Sequence, residues 1–201
     1  MKTEIEAKFV DVDIEDVRGR LREIGAECEQ PMRLMRRVAI DSEYMRTGKD
    51  SFLRVRDEGD KVTMTYKQFD DLSLHGAKEI EVIVNDFEQT IALLTQAGLA
   101  PHTYQETKRE TWRFKSTEIM IDEWPWLNPY VEIESDSGDK VRETADQLGF
   151  SWNDAVFGDV MAAYRVQYPH LNDKETIGSV AEVKFNTPLP DFLQVSKGGR
   201  V

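Results

Sequence analysis

Cysteine is nearly missing from this 201-residue chain, where Cys28 stands alone. No internal disulfide can form, and no zinc centre of clustered thiolates can be built. That usage suits a reducing cytoplasm, where the protein is expected to reside. Long apolar runs are lacking as well, and no stretch approaches the roughly 20 residues of a membrane span. The start, MKTEIEAKFVDVDIED, is acidic and has no apolar centre, so a signal peptide is not expected. Positive charge is in deficit: 26 lysines and arginines face 38 acidic residues, for a net charge of −12. A general nucleic-acid binder needs the opposite field, so neither nucleic acid nor a membrane is an expected partner. A GxxxxGK[ST] phosphate loop is absent too. The three histidines, His75, His102 and His170, fall in expected loops, form no ligand set and read as surface residues.

What is present is patterned. Apolar residues make up 40% of the chain, enough for a globular core. Near the N-terminus Glu4, Glu6 and Lys8 alternate with Ile5, Ala7 and Phe9, the period of a strand with one apolar face. The theme returns in KEIEV, with Glu79 and Glu81, and in VEIES, with Glu132 and Glu134. Other strands carry the opposite sign. Arg54 and Arg56 lie opposite Leu53 and Val55, Lys67 ends KVTMTYK, and Arg109, Thr111 and Arg113 lie opposite Trp112 and Phe114. Asp122 adds a carboxylate to IMIDEW. Between two of these strands, RDEGDK supplies Gly59 and acidic turn formers, a hairpin signature.

Three segments have helical spacing with a single apolar stripe, so each should lie on a sheet. The first buries Ile14, Val17, Leu21 and Ile24, with Asp13 as N-cap and Gly25 as its stop. The second carries Phe87, Ile91 and Leu94 before Gly98, and the third Val141, Ala145 and Leu148 before Gly149. A short helix should end before Pro169. The expected organisation is one α+β domain over residues 1–168, with a C-terminal extension over 169–201 that is partly mobile in SKGGRV and has no assigned place.

Charged strand faces are usually the solvated outside of an antiparallel sheet. Two features point elsewhere. The helices must cover the apolar strand faces, so in a closed barrel the charged faces turn inward; and the signs segregate strand by strand. Buried charges are costly unless they pair or bind something. Gathered carboxylates are hard oxygen donors suited to Mg²⁺ or Mn²⁺, and a facing set of arginines and lysines suits phosphate oxygens. Together they describe a site for a metal-bound polyphosphate, which would favour phosphoryl transfer electrostatically.

In sequence order, ExExK (Glu4, Glu6, Lys8), LRVR, TYK, EIE, KRETW, IDEW and YVEIE resemble the signature of the CYTH family, the triphosphate tunnel metalloenzymes, over roughly residues 2 to 165. The resemblance implies a closed, eight-stranded antiparallel β-barrel with a charged lumen, covered by amphipathic helices. By position it implies metal ligands at Glu4, Glu6, Asp122, Glu132 and Glu134. It implies phosphate contacts at Lys8, Arg37, Arg54, Arg56, Lys67 and Arg109, with Arg36 competing for the place of Arg37. Glu79 and Glu81 would orient the basic residues, and Lys67 matches a lysine thought to activate water in parts of the family. One departure stands out. The family often has Lys-x-Arg on the later basic strand, but here Thr107 holds the first position, and parity turns Arg109 and Arg113 inward and Lys108 outward. Trp124 and Trp126 read as strand-end packing, with a base-stacking platform as the competing role.

Hydrolysis of a triphosphate (inorganic, thiamine or nucleoside) is the expected activity, because a bare triphosphate needs nothing beyond the tunnel. Cyclisation of ATP to cyclic AMP uses the same clamp and is the alternative; a non-catalytic polyphosphate-binding module is the third reading. The expected partner is a small-molecule triphosphate, and the chain leaves room for a homodimer.

Overall fold

In the computed structural model, which describes residues 1–48 and 50–194, the N-terminal strand is broken at Glu4. Its two pieces are β1 (Lys2–Thr3) and β2 (Ile5–Val10). The chain continues through α1 (Ile14–Glu23), β3 (Glu27–Asp41), α2 (Glu43–Gly48), β4 (Ser51–Asp57), β5 (Val62–Phe69) and β6 (Ala77–Val84). A second run follows as α3 (Phe87–Gln96), β7 (Ala100–Phe114), β8 (Thr117–Trp124), β9 (Leu127–Ser135) and α4 (Gly138–Gln147). The last elements are α5 (Val160–Gln167), which ends before Pro169, and β10 (Glu182–Val183).

Neighbouring strands follow the order β1-β6-β5-β4-β3-β7-β8-β9-β2, each pair antiparallel. The two ends of this path are successive pieces of one segment, so the sheet curls into a nearly closed barrel. Among the described residues the barrel has nine strands, not the expected eight. The difference lies at Glu4, where the chain stops pairing with β9 and takes up β6; there Glu4 N–H donates to Ala77 O at 3.0 Å.

Local chemistry accounts for the helices. Asp13 accepts from Asp16 N–H at the start of α1, and Asp86 accepts from Gln89 N–H at the start of α3. Gly25 and Gly98 follow the ends of these helices at φ of 77° and 92°, a conformation that a side chain disfavours. The apolar strand faces do point outward. Ala7, Phe9, Ile119, Ile121, Val131 and Ile133 pack under Val17 and Leu21 of α1 and Val141 and Ala145 of α4. Full burial of a large aliphatic side chain there is worth about 1.5–3 kcal/mol. On the other side Phe87, Ile91 and Leu94 of α3 cover Val38, Ile40 and Val55.

The tail beyond residue 168 folds back on the barrel. Ile177, Val183 and Leu193 join Trp124, Tyr130, Met161 and Tyr164 in a separate apolar cluster, and β10 pairs parallel with β7. SKGGRV lies outside the described residues.

Candidate functional site

The barrel encloses a cavity of about 1660 Å³. Strand parity brings to its wall Glu4, Glu6, Lys8, Arg37, Arg54, Arg56, Lys67, Glu79, Glu81, Arg109, Glu132 and Glu134. Arg37, not Arg36, faces inward. Arg36 stays outside, paired with Asp57 and Glu88 and stacked on Phe87. Arg113 also lines the cavity, whereas Lys108 pairs with Glu123 and packs on Phe185.

One part of the wall is acidic. Oxygens of Glu4, Glu6 and Glu134 all lie within 4.8 Å of one another, on the two strand pieces that meet at Glu4 and on β9. Burial, then the neighbouring Glu132, pushes the pKa of Glu6 up. Burial likewise raises Glu134 despite Lys2 at 2.9 Å. For Glu4, burial acts upward but Lys67 outweighs it and holds the pKa down. Lys67 Nζ lies 2.6 Å from Glu4 Oε2, a close ion pair in which that oxygen lacks hydrogen-bond alignment. A compact set of buried anionic oxygens with incomplete hydrogen bonding is the chemistry a hard divalent cation satisfies, so these residues fit one.

Glu132 and Asp122 are placed differently. Glu132 accepts an ion pair from Lys8 at 3.0 Å and from Arg109 at 3.2 Å. Burial would raise its pKa, but Lys8 and Arg109 hold it well below the usual carboxylate range. Asp122 gives both oxygens to Arg109, at 2.7 and 2.6 Å. Lys8, 2% exposed, also contacts Glu6 at 2.6 Å and donates to Gly158 O. Burial works against its charge, yet Glu132 and Glu6 raise its pKa.

Another part of the wall is basic and poorly neutralised. Arg37 donates to Gln105 and stacks on Trp124, its guanidinium 4.0 Å from the ring centroid. Arg54 is 3.7 Å from Glu81, and its buried Nε has no hydrogen-bond partner. Arg56 is held by Glu58 at 2.6 Å. Burial, then Arg56, brings the pKa of Arg54 down to about 10, and burial, then Arg54 and Arg56, lowers that of Arg37. A guanidinium keeps its proton in proteins, so the direction reflects charge buried without enough counter-charge, with repulsion among these arginines adding to it. An anion would relieve it.

Several wall residues escaped the sequence reading. Glu58, in the sequence a turn former of RDEGDK, is buried and holds Arg56 and Arg33. The inward parity of Phe52, Arg54 and Arg56 continues to it, and that signal could have found it. His102 lies in β7 rather than in a loop, 2.6 Å from Asp41 and beside Arg46 at the cavity rim. Trp124 has one face taken by Arg37, and Trp126 donates through its indole N–H to Thr187 O. Met161, Arg165 and Ile177 reach the cavity from the C-terminal part.

Glu79 carries a pH prediction. Burial, then the charge and hydrogen bond of Glu4, push its pKa up to about 7 from 4.5. Between those values the folded chain keeps a proton that the unfolded chain has released, so stability should fall as pH rises through that window. Glu79→Gln should flatten the decline and raise the melting temperature at pH 8, measured by calorimetry with chelator present. Identical pH profiles for the variant and parent proteins would contradict the assignment.

A family model described as the CYTH domain matches residues 2–154. Among solved structures, a Pyrococcus horikoshii protein gives a TM-score of 0.64 at 22% identity, covering 76% of this chain and 93% of its own. A proposed adenylate cyclase from Vibrio parahaemolyticus gives 0.66 at 13% identity, over 80% of this chain and 96% of that one. A proposed adenylyl cyclase from Hippeastrum, described as having a dominant triphosphatase activity, gives 0.55 at 14% identity over 82% and 96%. At these identities the likeness concerns the fold. No curated protein matches the chain.

Proposed function

Since this chain belongs to the CYTH domain family, we propose that it binds a metal-complexed triphosphate in its tunnel and hydrolyses it. The observation that carries this reading is the juxtaposition, in one cavity, of an under-neutralised arginine set and a carboxylate trio. Arg37, Arg54 and Arg56 would bind the phosphate oxygens, Arg54 through the buried Nε that lacks a partner. Lys8 and Arg109, fixed by Glu132 and Asp122, would clamp them from the facing strands. Glu4, Glu6 and Glu134 would hold Mg²⁺ or Mn²⁺, which supplies positive charge to the phosphoryl oxygens when bound. Glu81 positions Arg54 and accepts from Thr65. Lys67, ion-paired with Glu4 between the acidic and basic sets, would have to release its own proton before it could take one from attacking water, and that role is what its substitution tests.

No helix among the described residues is long and apolar enough to cross a membrane. The lone Cys28 supports placing the protein in a reducing cytoplasm.

The assay compares inorganic triphosphate, ATP and thiamine triphosphate with Mg²⁺ or Mn²⁺. Phosphate release is expected, pyrophosphate with cyclic AMP would assign the cyclase instead, and no product would leave a binding module. Binding has its own readout. At about 100-fold excess over Kd, ligand adds about 2.7 kcal/mol of stability, or roughly 5–11 °C for a chain of this size. Arg54→Ala should remove about half of that rise, since a charged hydrogen-bonding partner is worth about 1.5 kcal/mol or more. An unchanged shift would take Arg54 out of the site.

A further inference from the structure

Next to the arginines the tunnel wall carries polar groups that the triphosphate and its metal leave unused. Ala39 of β3 lies between Arg54 of β4 and Thr103 of β7. Thr103 lines the cavity and is 3% exposed, and its hydroxyl has no hydrogen-bond partner. A buried hydroxyl in that state calls for an explanation. The next inward residue of β3 is Asp41, which is also buried. Beside it β7 forms a bulge: Ala39 pairs with Thr103 but Ile40 with Pro101, so His102 is the extra residue. Regular alternation with Thr103 and Gln105 would turn His102 away from the cavity. The bulge instead brings its Nε2 to 2.6 Å from Asp41 Oδ1. Arg46 of α2 pairs with the same oxygen, and its Nη1 lies 2.7 Å from His102 Nε2.

The geometry points to a second subsite, in which Thr103 and Asp41 bind the hydroxyls of an organic group, such as a ribose, esterified to the triphosphate. This rests on the reading that the phosphates lie at Arg37, Arg54 and Arg56. From the row of Arg54 to that of Asp41 is two residues of strand, about 7 Å, the reach of a phosphate ester into the group beyond it. The small side chain of Ala39 leaves the way from Arg54 to Thr103 open. A further phosphate does not suit this place. Arg46 is already paired with Asp41, and Asp50 brings a second carboxylate to the same wall. Hydroxyls do suit it: they donate to the Asp41 carboxylate, and the Thr103 hydroxyl donates to them or accepts from them. His102 and Arg46 hold Asp41 in place before any ligand arrives, which lowers the cost of ordering it. Inorganic triphosphate has no group to offer these residues, so the subsite favours a triphosphate ester over the bare anion.

The test is a ratio of dissociation constants, measured with Mg²⁺ on the β,γ-methylene analogues of ATP and of 2′,3′-dideoxy-ATP, so that hydrolysis does not intrude. The parent should bind the ribose analogue at least about 10-fold more tightly, the value of a hydrogen bond to a charged group. Thr103→Val keeps the shape of the side chain without its hydroxyl, and Asp41→Asn keeps the shape without the charge. Each should bring the ratio toward one, with circular dichroism confirming the fold. Equal binding of the two analogues by the parent overturns the proposal, as does a ratio that Thr103→Val leaves unmoved. A change in Asp41→Asn confined to the melting temperature also overturns it, making the cluster an anchor for α2. Inorganic triphosphate serves as the third ligand. If it binds and neither analogue does, the subsite is wrong and the triphosphate site stands; if none of the three binds, both fall.

Discussion

Glu6→Gln should lower triphosphate turnover by at least about 10²-fold, the loss expected when an electrostatic stabiliser of the transition state is removed. Glutamine keeps the shape of the side chain but offers no anionic oxygen to a hard cation. The fold should not suffer. Glu6 is 7% exposed among other carboxylates, and burial and Glu132 already disfavour its charge. Lys8 loses Glu6 but retains Glu132 at 3.0 Å. The metal-free melting temperature of Glu6→Gln should therefore equal or exceed that of the parent. Glu4→Gln should lose as much activity without that thermal gain, because Lys67 loses its ion-pair partner. Full activity of both variants at limiting Mg²⁺ would remove the carboxylate trio from metal binding.

Lys67→Arg should lose turnover on the order of 10²-fold, the lower range for a general base, while triphosphate with metal still raises the melting temperature. Arginine preserves the positive charge near Glu4 but cannot accept a proton. A clamp and a base thus give different outcomes for the same substitution: a clamp keeps most of its rate, and a base keeps only its binding. Near-parental kcat with an unchanged pH profile would reduce Lys67 to a phosphate contact.

The barrel was legible because two periodicities constrain each other. Helices with one apolar stripe demand an apolar strand face, and strict alternation in EIEAKF and FLRVR then assigns every charge to the opposite face. Parity also settles Arg37 over Arg36 once β3 is paired with β4, where Arg37 lies opposite Arg56. Parity does not reveal pairing partners. Asp122 and Glu132 share the inward strand parity of Glu4 and Glu6, yet Arg109 and Lys8 engage them across strands, and Asp122 stays off the cavity wall. β3 was hidden because Pro31 sits among its register shifts, which blur the alternation. α2 has no buried residue and so no periodic signal. The tail is held by short 3-10 turns and single buried anchors such as Ile177 and Leu193, which leave no pattern to read.

The break at Glu4 also bears on how the chain folds. The segment that seals the barrel is made before the other barrel strands, yet Ile5 pairs with Ser135, 130 residues away. At roughly 5–20 residues per second, a ribosome needs roughly 7–26 s to supply that partner. During this interval β2 has no β9 to pair with, and Glu134 does not yet exist beside Glu4 and Glu6. The acidic trio can form only when the last barrel strand arrives, so no partial barrel presents it. Non-local closure of this kind predicts slow folding for a domain of this size, with the whole site appearing in the final step.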